Sequence, residues 1–333
     1  MDFSGDKVLP ANPGVASRAR YGAVAAALKL GSVSPRLYRK FGNWLGQHRR
    51  VNAGMRGQQG KRAMEFLAWC RRHDLVRDGD SVLEIGTGWV HFESLVLRLF
   101  YDVRATLFDV WDNRQLDALR RYAVDLRDYL LREADLDGKE ESRVRETVAS
   151  IVGTASFDEL YRTMGLEYVV DQRGVLDRLG DGSFSLVYSN NVLEHVDRAT
   201  VPRLIEGTRR VLCPGGRSLH NIDISDHIVS LAKIRDMSPK HYLRYSDRTW
   251  QRWFENRVQY INRLQRSEWL GLFERAGLQR VAEEVSSAPL QLDAVSDRFH
   301  GMDAEDLECT RLIVLHERRP PVADDPQGHV ESS

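Results

Sequence analysis

Short apolar runs alternate with amphipathic stretches along most of the chain. Runs of strand length occupy 81–85, 103–108, 166–170, 184–189 and 217–224. Between them, apolar residues recur three or four positions apart, a spacing that predicts helices. Alternating strands and helices favour a mainly parallel sheet that is covered by helices on both faces.

Two further runs, 278–285 and 310–316, lie near the end of the chain. A helix precedes the first of them, and we expect Ser267 to cap it and Gly277 to end it. The two final strands have no long helical crossover between them. We therefore expect them to form an antiparallel edge of the sheet.

The remaining segments predict how the chain is organised around this sheet. We expect an N-terminal helical extension over 1–60 and a single α/β domain over 61–317. Within the domain, about 131–165 is a charged helical insertion, and about 225–266 is rich in His, Tyr, Trp and Arg. We interpret the latter as a lid over the second substrate, with core packing of a helical insertion as the alternative. We expect 318–333 to be disordered.

The number and distribution of charged residues indicate which classes of partner the chain can bind. The 333 residues carry 48 basic and 48 acidic side chains, which argues against a nucleic-acid-binding protein. The stretch 18–62 has no acidic residue, and basic side chains there alternate with aromatic ones. Such a stretch is a solvated helix face, or it attracts an anionic substrate or a membrane surface.

The cysteines and the hydropathy of the chain indicate in which cellular compartment we expect the protein. The three cysteines, Cys70, Cys213 and Cys309, are far apart and lack metal-ligand spacing, so we expect reduced thiols and no metal site. No apolar run reaches the roughly 18 residues of a membrane span. We expect a cytoplasmic protein, with peripheral contact at the inner membrane face through the basic segment as a further hypothesis.

The strongest chemical signal is a glycine turn directly after the first strand, Glu84-Ile85-Gly86-Thr87-Gly88. Glycines there allow the backbone to approach a ligand closely. In open α/β sheets, ligands bind beyond the carboxyl ends of the strands. A dinucleotide fingerprint needs a third glycine three residues after Gly88, where this chain has His91, so the turn does not indicate NAD.

An acidic residue, Asp109, ends the second predicted strand. A carboxylate at this place can accept two hydrogen bonds from vicinal ribose hydroxyls. The alternative role is a cap of the next helix, and Asp112 is a second candidate for either role.

Together with 181–196 and the Leu-Cys-Pro-Gly-Gly turn at 212–216, these motifs resemble those of class I methyltransferases that use S-adenosylmethionine (SAM). The likeness covers about 75–225 and about 267–316. Most members have Asp where Ser185 stands, which we interpret as a change in local support. The resemblance implies a Rossmann-like seven-stranded sheet in the order 3-2-1-4-5-7-6, with strand seven antiparallel.

The resemblance also implies site roles at matching positions. It implies SAM as the cofactor, with Asp109 at the ribose and Asp171 near the adenine. Asn190 is expected near the sulfonium and the acceptor. The residues expected around the methionine end are Glu84, Gly86, Thr87 and Gly88.

Methyl transfer to oxygen benefits from a general base, and three histidines follow strand ends. His227 is the first candidate, because the adjacent Asp226 could orient it. His195 and His91 are the others, and each has packing or capping as its alternative role.

These features predict SAM-dependent O-methylation of a small-molecule or glycan-type hydroxyl. N-methylation of a small amine is one alternative. A SAM-binding regulator without catalysis is another, and an RNA or protein methyltransferase is the third. We expect no nucleic-acid partner, and the oligomeric state stays open.

Overall fold

The computed structural model of the chain describes residues 13–32 and 47–319. At its centre is a seven-stranded sheet in the order β3-β2-β1-β4-β5-β7-β6. Strand β7 is antiparallel to β5 and β6, and the other pairs are parallel. The expected order and the antiparallel seventh strand are confirmed. The strands are β1 (Ser81–Ile85), β2 (Arg104–Asp109), β3 (Leu166–Val170), β4 (Phe184–Asn190), β5 (Leu212–Asp223), β6 (Leu278–Ser287) and β7 (Cys309–Arg318).

Helices cover both faces of the sheet, and the residues 47–53 are also helical. Helices α2 to α6 pack on one face, and α7 and α10 pack on the other. Short 3-10 turns occur at Leu193–His195, His241–Arg244 and Asp297–Phe299. The helices are α1 (Val15–Gly31), α2 (Gly57–Arg72), α3 (Phe92–Phe100), α4 (Leu116–Glu133), α5 (Gly138–Gly153), α6 (Phe157–Met164), α7 (Val201–Val211), α8 (His227–Ala232), α9 (Asp247–Trp253), α10 (Arg266–Arg275) and α11 (Ala304–Glu308).

Both faces of the sheet are covered by helices, and this explains the continuous apolar runs in the sequence. Successive strand residues face opposite sides, so Val82 packs with the layer of α2 to α6 while Leu83 packs with α7 and α10. Both side chains are completely buried. A parallel strand that is covered on both faces therefore needs apolar residues at consecutive positions.

A third apolar cluster joins α1 to the segment 225–266. Tyr21 of α1 packs with Val229, Tyr242 and Trp250. Its hydroxyl donates a 2.8 Å hydrogen bond to the buried carboxylate of Asp226. Tyr242 and Trp250 belong to the segment that we interpreted as a lid over the second substrate, and both are buried in this cluster. Their placement matches the alternative of core packing.

Two local expectations are wrong. Helix α10 begins at Arg266, and its cap is Gln265 in a reciprocal capping box with Glu268, so Ser267 lies inside the helix. Strand β5 begins at Leu212 rather than at 217, because the glycine turn lies within the strand as a register shift against β4. At the start of α10, the long side chain of Gln265 thus takes the capping role that sequence rules assign to a short residue such as serine.

The final strand runs to Arg318, and most of the predicted disordered tail lies outside the described residues. The basic positions Arg36, Arg39 and Lys40 also lie outside them. Within the described part of the chain, no helix is both long and apolar enough to cross a bilayer.

Candidate functional site

The glycine turn leaves β1 with two residues in the left-handed region. Gly86 has φ +75° and Gly88 has φ +63°. A Cβ atom on Gly86 would lie 2.4 Å from the Val192 side chain, whereas a Cβ on Gly88 would meet no atom within 4 Å. Gly86 is therefore required by packing against the loop after β4. Gly88 borders open space, so its missing Cβ leaves room for a ligand.

The carboxylate of Asp109 closes this turn from the end of β2. One oxygen accepts from the Gly88 amide at 3.0 Å, and the other accepts from the amides of Val110 at 2.7 Å and Trp111 at 3.3 Å. Burial raises the pKa of Asp109, and these amides oppose that effect. The carboxylate is thus held by backbone donors beside the space next to Gly88.

The two other acids considered from the sequence have arginine partners. Asp171 follows β3, and its amide donates to the Asp109 carbonyl at 3.1 Å. Its carboxylate binds Arg173, which lowers the pKa of Asp171 to about 2. Asp112 forms a two-pronged pair with Arg114. Asp109 has no such guanidinium partner among the described residues, so it is the acid that can accept new donors.

Glu84 is engaged with helix α3. Its Oε2 atom accepts from the amide of Ser94 at 3.1 Å and from the Ser94 hydroxyl, which also pairs with the Tyr188 hydroxyl at 2.7 Å. Burial and the nearby Glu93 raise the pKa of Glu84. The carboxylate therefore ties the strand before the turn to the helix after it. Its role at the methionine end stays a prediction.

Thr87 and His91 stiffen the turn from within. The Thr87 hydroxyl lies 2.8 Å from Nδ1 of His91, and Nε2 of His91 lies 2.9 Å from the Tyr161 hydroxyl. The imidazole is completely buried, and burial together with Arg114 lowers the pKa of His91 to about 3. Both ring nitrogens are occupied, which fits the packing role of His91 better than that of a base.

Asn190 ends β4 in a chain of polar side chains. Its Oδ1 accepts from Nδ2 of Asn221 at 3.1 Å, and Oδ1 of Asn221 accepts from Nε of Arg311 at 2.8 Å. Arg311 in turn forms a two-pronged ion pair with Glu65 of α2. These four side chains line a small cavity between α2 and the ends of β4, β5 and β7. Sequence reasoning found Asn190 alone, because no motif marks the other three.

The two remaining histidines meet each other. The rings of His195 and His227 are 4.9 Å apart between centroids. Nε2 of His227 lies 3.4 Å from Oδ2 of Asp223. Asp226, which the sequence suggested as the partner, instead caps α8 and accepts from Tyr21.

Burial and hydrogen bonds shift the pKa values of His195 and of Asp223, the carboxylate beside His227. Burial and the neighbouring His227 lower the pKa of His195 to about 4. Burial alone would raise the pKa of Asp223, but its hydrogen bonds with His227 and Ser225 outweigh this and lower it to about 2. Asp223 is therefore a carboxylate at neutral pH, and His195 is a neutral imidazole.

All these groups lie at the carboxyl ends of parallel strands. The turn after β1 carries Gly88, β2 ends at Asp109, and the loops after β4 and β5 carry His195 and His227. Between β1 and β4 the strand order reverses direction, which is where open α/β sheets bind ligands. An open glycine cradle beside a carboxylate with backbone partners fits a nucleoside ligand.

Comparison with known proteins bears on the family of the chain. A family profile described as a methyltransferase domain matches residues 56–283. A search of curated proteins gave no match.

A comparison with solved structures gave matches of low sequence identity. A SAM-dependent methyltransferase from Methanosarcina mazei is 14% identical with a TM-score of 0.40, covering 75% of this chain and 97% of its own. A SAM-dependent methyltransferase from Mesorhizobium loti is 15% identical with a TM-score of 0.39, covering 75% and 97%. Phosphoethanolamine N-methyltransferase 2 from Haemonchus contortus is 14% identical with a TM-score of 0.42, covering 77% and 52%.

Proposed function

The chain belongs to the methyltransferase domain family and is a SAM-dependent methyltransferase, and we propose that it methylates a hydroxyl group of a small molecule or glycan. Two parts of the site support this proposal. One part fits the cofactor, and the other can accept a proton from the hydroxyl.

The cofactor part is the turn after β1 together with the end of β2. Bound SAM supplies a methyl group that its positive sulfonium already activates. Asp109 would accept hydrogen bonds from the ribose hydroxyls, because its partners in the protein are backbone amides. The open space at Gly88 would admit the ligand next to the backbone.

The acceptor part rests on a single observation, the 3.4 Å approach of Asp223 to His227 at the end of β5. A hydroxyl must lose its proton when its oxygen takes up a methyl group, and a histidine held by a carboxylate can receive that proton. Such a base contributes roughly 10²- to 10⁴-fold in rate. A neutral amine needs no strong base, so the His227–Asp223 pair favours oxygen over nitrogen as the acceptor atom.

The test uses matched acceptors. The purified enzyme and SAM are incubated with hydroxyl compounds, each paired with the amine that has the same skeleton, and S-adenosylhomocysteine release is measured. We expect release with a hydroxyl member, and we expect His227→Gln and Asp223→Asn to reduce kcat strongly while SAM affinity stays unchanged.

The control is His300→Gln, because His300 faces Asp297 at 3.6 Å on the exposed surface. It should keep full activity. Release with the amine members alone, at rates that His227→Gln leaves unchanged, would overturn the proposal in favour of N-methylation.

A further inference from the structure

Glu194 is a buried carboxylate without a hydrogen-bond partner. It lies in the 3-10 turn after β4 and is 3% exposed. Neither of its oxygens has a partner among the described residues. Buried polar groups in native proteins almost always have partners, since an unpaired one costs free energy. The Glu194 carboxylate therefore calls for a positive ligand or a proton.

His195 presents a second acceptor to the same space. Its Nδ1 lies 2.6 Å from the carbonyl oxygen of Tyr260. A carbonyl only accepts, so the ring proton is on Nδ1 and the lone pair is on Nε2. That Nε2 atom lies 4.0 Å from Oε1 of Glu194, which is too long for a hydrogen bond. Two acceptors thus face each other across a gap.

His227 completes the group from the other side. One ligand atom each from Glu194, His195 and His227 can be chosen so that all three lie within 4.8 Å of one another. Ligand atoms at about 2.1 Å from a shared ion lie roughly 3.0–4.2 Å apart, depending on the angle. A shift of less than about 1 Å would therefore close the group around an ion.

We propose that Glu194, His195 and His227 form a binding site for a divalent transition-metal ion. Two imidazoles and one carboxylate are a donor set of catalytic zinc and iron sites, in which further positions stay open for water or substrate. Imidazole donors favour such ions over magnesium and calcium.

The surroundings of the three ligands support this assignment. The Tyr260 carbonyl holds the ring of His195, and the Asp223 carboxylate lies beside that of His227. Ligating histidines almost always have such a second partner, which fixes the ring. The sequence predicted no metal site, because the ligands come from two loops that only the sheet brings together.

The site lies at the same end of the sheet as the glycine turn, in the loops after β4 and β5. An ion there would occupy the lone pair of His227 and would replace this imidazole in promoting loss of the hydroxyl proton, because it would hold the acceptor oxygen and lower the pKa of the coordinated hydroxyl. This consequence rests on the proposed function, whereas metal binding itself does not.

The test is a titration of the full chain, freed of metal by chelation, with Co²⁺ and with Zn²⁺. Binding is followed by the visible absorption of Co²⁺ and by calorimetry. We expect one ion per chain for the wild type. We expect Glu194→Gln, His195→Ala and His227→Ala each to weaken binding by at least tenfold, and His300→Ala to bind as the wild type does.

Thermal melting and SAM titration of each variant show whether it is folded. Glu194→Gln keeps the size of the side chain, so it is informative even if a histidine variant does not fold. No ion bound to the wild type, or unchanged binding in a folded Glu194→Gln variant, would overturn the proposal.

The proposed O-methylation is judged separately from the metal site. If the wild type binds the ion but methylates only amines, the metal site stands and the proposed acceptor fails. If hydroxyl methylation persists in a metal-free enzyme that binds no added ion, the metal site fails and the proposed acceptor stands.

Discussion

Oδ2 of Asp109 accepts a hydrogen bond of 3.0 Å from the backbone amide of Gly88. This bond joins the end of β2 to the glycine turn after the neighbouring strand β1. Among the described residues, no arginine or lysine side chain forms an ion pair with this carboxylate. The same carboxylate can therefore order the turn and receive a ribose.

Asp109→Asn should weaken SAM binding. The substitution keeps the size of the side chain but removes the charge and one of its two acceptor oxygens. A hydrogen bond to a charged group is worth about 1.5–3 kcal/mol, which corresponds to roughly 10- to 150-fold in affinity. Calorimetric titration with SAM measures the change.

The matched control is Asp112→Asn. Asp112 is three residues away and already forms a two-pronged pair with Arg114. It should bind SAM as the wild type does. Equal loss in both variants would mean that the general negative charge of this loop, rather than the contact of Asp109, attracts the ligand.

The two glycines of the turn should respond differently to alanine. Gly86→Ala forces a Cβ to within 2.4 Å of Val192 at φ +75°, so we expect a loss of about 2–5 kcal/mol in the free energy of unfolding. Gly88→Ala meets no atom, so we expect about 1–2 kcal/mol from its backbone conformation alone. Urea denaturation measures both.

Ligand binding provides the second readout for these variants. Gly88→Ala places a methyl group in the open space, so it should lose SAM affinity while remaining folded. Adding Val192→Ala to Gly86→Ala should recover part of the lost stability, because it removes the clashing atoms. Wild-type SAM affinity in Gly88→Ala would contradict the assignment of that space to the cofactor.

The sequence was sufficient for the strands because short, mainly apolar runs between turn residues predict them. Ser81–Ile85 and Leu166–Val170 are strands with the expected bounds, the first almost wholly buried and the second an edge strand in which only Leu166 is buried. The strand order came from the resemblance. The glycine turn and Asp109 could be predicted for the same reason, because the turn directly follows β1 in the chain and Asp109 is the last residue of β2.

The acceptor side could not be predicted in the same way. Asp223 was not singled out, and the adjacent Asp226 was preferred because it is the neighbour of His227 in sequence. Asp223 ends β5 and His227 begins α8, and the short loop between them brings the His227 ring to Asp223, while the Asp226 carboxylate caps α8 and accepts from Tyr21. Glu65, Asn221 and Arg311 were missed because they belong to three separate elements.

Acid should unfold this protein below the ordinary pKa of histidine. Burial lowers the pKa to about 3 in His91 and His220 and to about 4 in His316. The unfolded chain takes up these protons near pH 6.5 while the folded chain does not, so stability falls as pH drops from about 6.5 towards 4. Each histidine adds up to about 1.4 kcal/mol per pH unit. Urea denaturation at a series of pH values measures the slope.

His316→Phe tests one of these contributions. The His316 ring stacks on Phe273 at 4.3 Å, and neither of its nitrogens has a hydrogen-bond partner among the described residues. We expect the variant to lose up to about 1.4 kcal/mol per pH unit from the slope. His300→Phe, at an exposed histidine, should keep the wild-type slope. An unchanged slope in His316→Phe would mean that the imidazole already takes up its proton in the folded state.

The contact between Tyr21 and Asp226 should make the contribution of α1 to the free energy of unfolding depend on pH. Burial raises the pKa of Asp226 to about 6, and the bond from the Tyr21 hydroxyl opposes that rise. Above pH 6 the carboxylate is ionised and depends on this donor, so Tyr21→Phe should cost about 1.5–3 kcal/mol at pH 8. Near pH 5 the protonated carboxyl needs the donor less, and the cost should fall to about 1 kcal/mol or below. The free energy of unfolding at the two pH values checks this.

Tyr245→Phe is the control for that comparison, because Tyr245 lies in the same apolar cluster and its hydroxyl faces His241 rather than a carboxylate. Burial keeps the pKa of His241 near 4, so this imidazole is neutral at both pH values. The cost of Tyr245→Phe should therefore be similar at pH 5 and pH 8. If the two tyrosine variants showed the same pH dependence, Asp226 would not be the group that makes the α1 contact sensitive to pH. A cost confined to Tyr21→Phe at high pH would instead establish that the N-terminal helix is bound to the domain through an ionised carboxylate.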